Sequence, residues 1–123
     1  MGNPIVHWEI GGEDRKKLQD FYGSLFDWNI DSMDAMNYGM VKTGAEPGGG
    51  ISALQADDQQ PRIEFYRKPY VTFYVAVDDL QASLDKAVAL GGKMVVPVTP
   101  IPNIGEFAMF SDPAGNVIGI FKG

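Results

Sequence analysis

The stretch "TFYVAVDDLQASLDKAVALGGK", residues 72–93, decides the fold, because "HWEIGGEDRKKLQDFYGSLFDW", residues 7–28, has the same layout. Each opens as a short strand pattern, passes an acidic pair and enters a helical pattern. Leu18, Phe21, Tyr22 and Leu25 recur at helical spacing in one; Leu80, Leu84, Ala87 and Val88 do so in the other. Glu13-Asp14 and Asp78-Asp79 stand at the helix entries, where carboxylates cap free N–H groups and meet the positive end of the dipole. Gly91-Gly92 is a stop signal.

Three strand candidates follow each helix. They are Asn29–Asp31, Tyr38–Lys42 and Ile51–Leu54, then Met94–Val98, Glu106–Ser111 and Asn116–Phe121. Gly48-Gly49-Gly50 and "DPAGN", residues 112–116, read as the turns before the last strand of each half. The pattern is βαβββ, linker, βαβββ. It predicts one α+β domain over residues 1–123, made of a module 5–54, a polar linker 55–69 and a module 70–121. Each module is expected to cover an open edge or face of the other.

Composition narrows the function classes. The 123 residues are 45% hydrophobic and 21% charged, which suits a folded globular chain. The formal net charge of −6 repels phosphate backbones, so nucleic acid is not an expected partner. Arg15-Lys16-Lys17 reads as a solvated face. No apolar run approaches about 18 residues, so no membrane span is expected. "MGNPIVHWEI" lacks the basic start and apolar core of a signal peptide. The cytoplasm is the expected compartment. The absence of cysteine excludes disulfides and thiolate–metal sites.

Strand alternation sorts residues into faces. Val6, Trp8 and Ile10, with Phe73, Val75, Val77, Phe107, Met109, Ile118 and Ile120, are expected to pack under the helices. The opposite face collects His7, Glu9, Thr72, Tyr74, Ala108, Phe110, Gly119 and Phe121. Apolar walls with a few polar groups are the make-up of a ligand cavity.

The segments "VHWEI", "DFYGSLFDW", "FYVAVDDLQASLDKAVALGGK" and "FSDPAGNVIGIFKG" together resemble the glyoxalase, bleomycin-resistance and extradiol-dioxygenase superfamily, the vicinal oxygen chelate fold. The resemblance covers nearly the whole chain. It implies paired βαβββ modules whose sheets curl around a cavity, commonly in a homodimer. It also implies four metal-ligand positions in the metal-dependent members. Here these fall on His7, on Ser52 or Ala53, on Thr72 and on Gly119, so one ligand of four is kept. Asp27 stands where the family commonly has Gly.

A durable divalent site needs at least three suitable donors. His7 and Glu9 lie two residues apart on one strand face, roughly 7 Å between Cα atoms, with no third donor apparent. No metal or other cofactor is therefore expected. The expected partner is a small organic molecule, with Thr72, Tyr74, Phe110, Gly119 and Phe121 as binding residues. Three roles stay open for His7, the only histidine. It is a satisfied structural group, a ligand anchor, or an acid–base catalyst paired with Glu9. Enzyme and binding protein both remain open. The alternatives are sequestration of a cationic drug, as in bleomycin resistance, and a metal-dependent lyase of the glyoxalase type.

Overall fold

Asp14 and Asp79 start the two helices as the spacing predicts. The computed structural model describes residues 2–123. In it the Asp14 carboxylate accepts from the Lys17 N–H at the head of α1 (Arg15–Phe26), and that of Asp79 accepts from the Ala82 N–H at the head of α2 (Leu80–Ala89). Each satisfies one N–H that the helix itself cannot pair. Asp27 ends α1 at φ 58°, in the left-handed region. Glycine reaches that region most easily and aspartate tolerates it. Gly91, at φ 104°, ends the second helical segment, and the Gly92 N–H returns to the Ala87 carbonyl.

The strands are β1 (Ile5–Gly12), β2 (Asn29–Met33), β3 (Tyr38–Lys42), β4 (Gly49–Ala53), β5 (Tyr70–Ala76), β6 (Lys93–Ile101), β7 (Gly105–Ser111) and β8 (Val117–Lys122). Single 3-10 turns occupy Asp34–Met36 and Glu64–Arg67. The α+β class and the doubled βαβββ order are as the sequence predicts. The chain forms two compact units, one of residues 7–71 and one of residues 72–123 together with the N-terminal residues through Val6.

In the first unit the strand order is β2-β3-β4-β1, with β1 parallel to β4 and the other neighbours antiparallel. The second unit repeats this as β6-β7-β8-β5, with β5 parallel to β8. Helix α1 packs on β2, β3 and β4, and α2 on β6, β7 and β8. Register puts Ile10, Ile30, Val41 and Ile51 on the α1 side of the first sheet. Val41 and Ile51 are fully buried there, each contributing about 1.5–3 kcal/mol of transfer free energy. Trp8 and Trp28 join the same side with Tyr22 and Phe26 in one ring cluster. The second core joins Leu80 and Leu84 to Ala108 and Ile120, with Val75, Val77, Val98 and Phe110 around them.

Three expectations change. In β7 the faces are exchanged. Ala108 lies opposite Ile120 and Phe110 opposite Ile118, so both look toward α2, while Phe107 and Met109 share a face with Phe121 and Gly119. Directly opposed residues share a face, and a one-residue slip moves the whole set. Both sets in β7 are apolar, so alternation alone could not choose between them. Second, Gly49 and Gly50 belong to β4, not to the turn before it. A Cβ on Gly49 would fall within the Trp8 ring, and one on Gly50 within the Tyr38 ring. Third, Arg15 is buried, at 6% exposure, unlike its exposed neighbours Lys16 and Lys17.

Residues 55–69 are held by specific bonds. The Gln55 side chain donates to the Pro61 carbonyl and accepts from the Ile63 N–H, and the Gln55 N–H donates to the Tyr66 carbonyl. That path delivers Tyr70 to the start of β5. The "DPAGN" turn closes on Asp112, whose carboxylate accepts from the Ala114 and Asn116 N–H groups and from Asn116 Nδ2.

Candidate functional site

Glu9 is a carboxylate on a mid-strand position, and only 7% of it is exposed. A buried carboxylate survives only if its oxygens are satisfied. Tyr38 Oη donates to Glu9 Oε1 at 2.7 Å, and Tyr70 Oη donates to Glu9 Oε2 at 2.7 Å. Tyr38 Oη also lies 2.7 Å from His7 Nε2, with the two rings stacked. A phenol carries one proton. Because Tyr38 gives its proton to Glu9, it accepts from His7 Nε2–H, and the network assigns neutral His7 the Nε2–H tautomer. The result is a chain His7–Tyr38–Glu9–Tyr70, all within the first unit.

Register explains the gathering. His7 and Glu9 alternate onto one face of β1; Gly50 and Ser52 of β4 and Tyr38 and Met40 of β3 occupy the same face. This is the face opposite α1. Gly50 provides the space in which the Tyr38 ring lies, and Gly11 provides it for Tyr70. The Ser52 hydroxyl donates to the Ala53 carbonyl at 3.2 Å.

Burial sets the electrostatics. It raises the Glu9 pKa, against the opposing pull of the Tyr70 and Tyr38 hydroxyls. It lowers the His7 pKa from the ordinary 6.5. Tyr70 is pushed far up, first by burial and then by the Glu9 charge, and stays a phenol. The two shifts run in opposite directions, Glu9 up from 4.5 and His7 down from 6.5.

A prediction follows for His7. Its folded pKa lies below its unfolded one, so as pH falls through 6.5 the unfolded chain takes the proton first. Stability associated with His7 is complete above that pH and declines toward the folded value. The melting temperature of the wild type is expected to fall faster than that of His7→Gln between neutral and mildly acidic pH. Parallel curves for the two proteins would contradict the burial assigned to the ring.

The sequence paired Glu9 with His7 directly. The structure joins them through Tyr38, which the sequence puts on a strand without marking it as functional. Tyr70 was missed as well. The signal for both was alternation: Tyr38 opposes the small Gly39, and Tyr70 precedes Thr72 and Tyr74 at intervals of two.

The remaining candidates lie in the second unit. Thr72, 4% exposed, donates its hydroxyl to the Val117 carbonyl at 2.7 Å. Tyr74 covers Gly119, where a Cβ would enter its ring, and meets Phe107 edge-on. Thr72, Tyr74, Gly119 and Phe121 share one face. Phe110 does not; it packs in the α2 core, and Phe107 and Met109 stand where Phe110 was expected.

The metal positions implied by the resemblance can be tested on their donors. His7 Nε2 and both Glu9 oxygens are engaged by tyrosine hydroxyls. Thr72 spends its proton on a main-chain carbonyl, and Gly119 has no side chain. Among the described residues no group of three or more His, Asp or Glu side chains gathers in metal-binding geometry. The residues present do not fit a divalent ion. Also among the described residues, no helix is long and apolar enough to cross a membrane.

Two βαβββ units of identical strand order are the architecture of the vicinal oxygen chelate superfamily. Residues 10–121 match the model of the glyoxalase-like domain, and the chain belongs to that family. It is similar to "Putative glyoxylase CFP32" of Mycobacterium tuberculosis, 31% identical over 99% of this chain and 46% of that protein. It is also similar to the anthracycline biosynthesis protein DnrV of Streptomyces peucetius, 25% identical over 94% of this chain and 45% of that one. The chain thus spans about half the length of these relatives. Among solved structures, a glyoxalase/bleomycin resistance protein/dioxygenase superfamily member from Vibrio splendidus superposes with a TM-score of 0.64 at 11% identity, covering 99% of this chain and all of that one.

Proposed function

We propose that this protein binds a small organic molecule beside the His7–Tyr38–Glu9 chain and moves a proton through it without a metal ion. The observation that carries this reading is the buried Glu9 carboxylate joined to the imidazole by one phenol, two 2.7 Å bonds in series. A substrate proton taken up by the imidazole releases the Nε2 proton to Tyr38 Oη, and Tyr38 releases its own to Glu9 Oε1. The chain ends neutral at Glu9 and returns the proton by the reverse path. Burial raises Glu9 and lowers His7, which brings the proton affinities of the two ends toward each other.

The test begins with chelator-treated protein and a thermal-shift screen of small carbonyl and carboxyl compounds. Hits are incubated in D₂O, and exchange of their carbon-bound hydrogens is followed by NMR. Exchange catalysed by the wild type and reduced at least ~10²-fold by Tyr38→Phe supports the reading. Stoichiometric binding without exchange assigns sequestration instead. Activity that appears only on adding nickel or zinc overturns metal independence and restores the glyoxalase-type lyase.

A further inference from the structure

We infer that Arg15 is the positioning residue that holds Tyr38 between His7 and Glu9. The inference rests on the proposed relay, because Tyr38 is its bridge. Arg15 is the first residue of α1 and grips Ser32 on the α1 side of the first sheet, whereas His7, Tyr38 and Glu9 occupy the opposite face. Its guanidinium is buried, and each nitrogen is spent on that connection or on the helix. Nε donates to Asn37 Oδ1 at 3.0 Å. Nη2 donates to Asp34 Oδ1 at 2.9 Å. Nη1 donates to Ser32 Oγ at 3.0 Å, to Gln19 Oε1 at 2.6 Å and, at 3.4 Å, to the main-chain carbonyl of Tyr38 itself.

These partners are the residues that carry the chain from β2 into β3. Asn37, immediately before Tyr38, has φ 51°, in the left-handed region that asparagine tolerates, and its side chain is held there by Arg15 Nε. Its N–H caps the 3-10 turn on the Asp34 carbonyl, and Ser32 Oγ donates to the same Asp34 carboxylate that Arg15 grips. Gln19, one helical turn after Arg15, lies against Gly39, where a Cβ would meet its Oε1. Residues on both sides of Tyr38 are thus fixed to the first turns of α1. Tyr38 opens its strand, so its ring is located by this connection as much as by the sheet. The guanidinium fork suits the task because its donors leave in fixed directions.

The chain has one histidine, so imidazole nitrogen NMR gives an isolated report on the Tyr38 bond. In the wild type near neutral pH the Nε2–H tautomer is expected, with a hydrogen-bonded Nε2 proton protected from solvent. Tyr38→Phe should remove that protection. If it does not, the relay reading itself fails. Arg15→Gln should reproduce the Tyr38→Phe spectrum, and Arg15→Lys should recover part of the wild-type signal. Asn37→Gly serves if Arg15→Gln does not fold. Glycine accepts φ 51° without strain, so this variant removes only the Arg15 Nε acceptor and is expected to weaken Nε2 protection without loss of fold. Variants that melt at lower temperature but keep the wild-type imidazole spectrum would make Arg15 merely structural and overturn the inference. Because the spectrum needs no substrate, a failed exchange assay alone sinks the proposed chemistry and leaves this assignment standing.

Discussion

Glu9→Gln is expected to reduce proton exchange by at least ~10²-fold while leaving the protein as stable as the wild type, or more so, near neutral pH. The two halves of this expectation have one cause. Folding takes the Glu9 carboxylate out of water and raises its pKa above the ordinary 4.5. The unfolded chain therefore loses this proton at a lower pH than the folded one. Between the two values the folded state binds more protons, so stability falls as pH rises through that window and stays reduced above it. Glutamine carries no charge and avoids that cost. Its amide oxygen can accept from one tyrosine, and its NH₂ can donate to the oxygen of the other. Tyr38 then turns its proton to His7 Nε2, and the imidazole settles as the other tautomer. The network stays satisfied, but it ends in a group that accepts no proton. The melting-temperature difference, Glu9→Gln minus wild type, should grow as pH rises from about 4.5. A variant that loses stability at neutral pH and keeps its exchange rate would mean that Glu9 is structural.

The sequence made the fold legible because the repeat is written at three levels. The acidic caps, the helical spacing and the strands that follow each helix recur in both halves, and each has a local physical cause. Strand faces were legible wherever one side is polar. His7 and Glu9 against Trp8 and Ile10 sorted correctly, as did Thr72 and Tyr74 against Phe73 and Val75. Alternation does not decide β7, where Phe107 and Met109 alternate with Ala108 and Phe110 and nothing in the pattern marks a side. The candidate site was legible in part. A lone histidine with a glutamate two residues on was visible. The phenols that satisfy that glutamate come from β3 and β5, 29 and 61 residues away in sequence, and only register brings them in. Arg15 was hidden by its neighbours. In a run of three cations at a helix start, the sequence does not show which one turns inward.

Gly49 and Gly50 look like a turn in the sequence for a related reason, and Gly50 carries the second large effect. Gly50→Ala is expected to destabilise the fold and to abolish proton exchange as completely as Tyr38→Phe. The new methyl would occupy the position of the Tyr38 hydroxyl end of the ring. The contact is with a ring packed in place, so relief requires the whole side chain to swing away. Both 2.7 Å bonds of Tyr38 are then lost together. Glu9 Oε1 is left buried without its donor, a cost of about 1–3 kcal/mol, and the displaced ring adds a similar overpacking penalty. The backbone itself is not the obstacle, because Gly50 lies in a regular strand pair opposite Glu9 and Met40. A double-mutant cycle separates the causes. In a Tyr38→Ala background the ring is gone, and adding Gly50→Ala should cost little further stability. Equal penalties in the two backgrounds would show that Gly50 is required by the strand and not by the tyrosine.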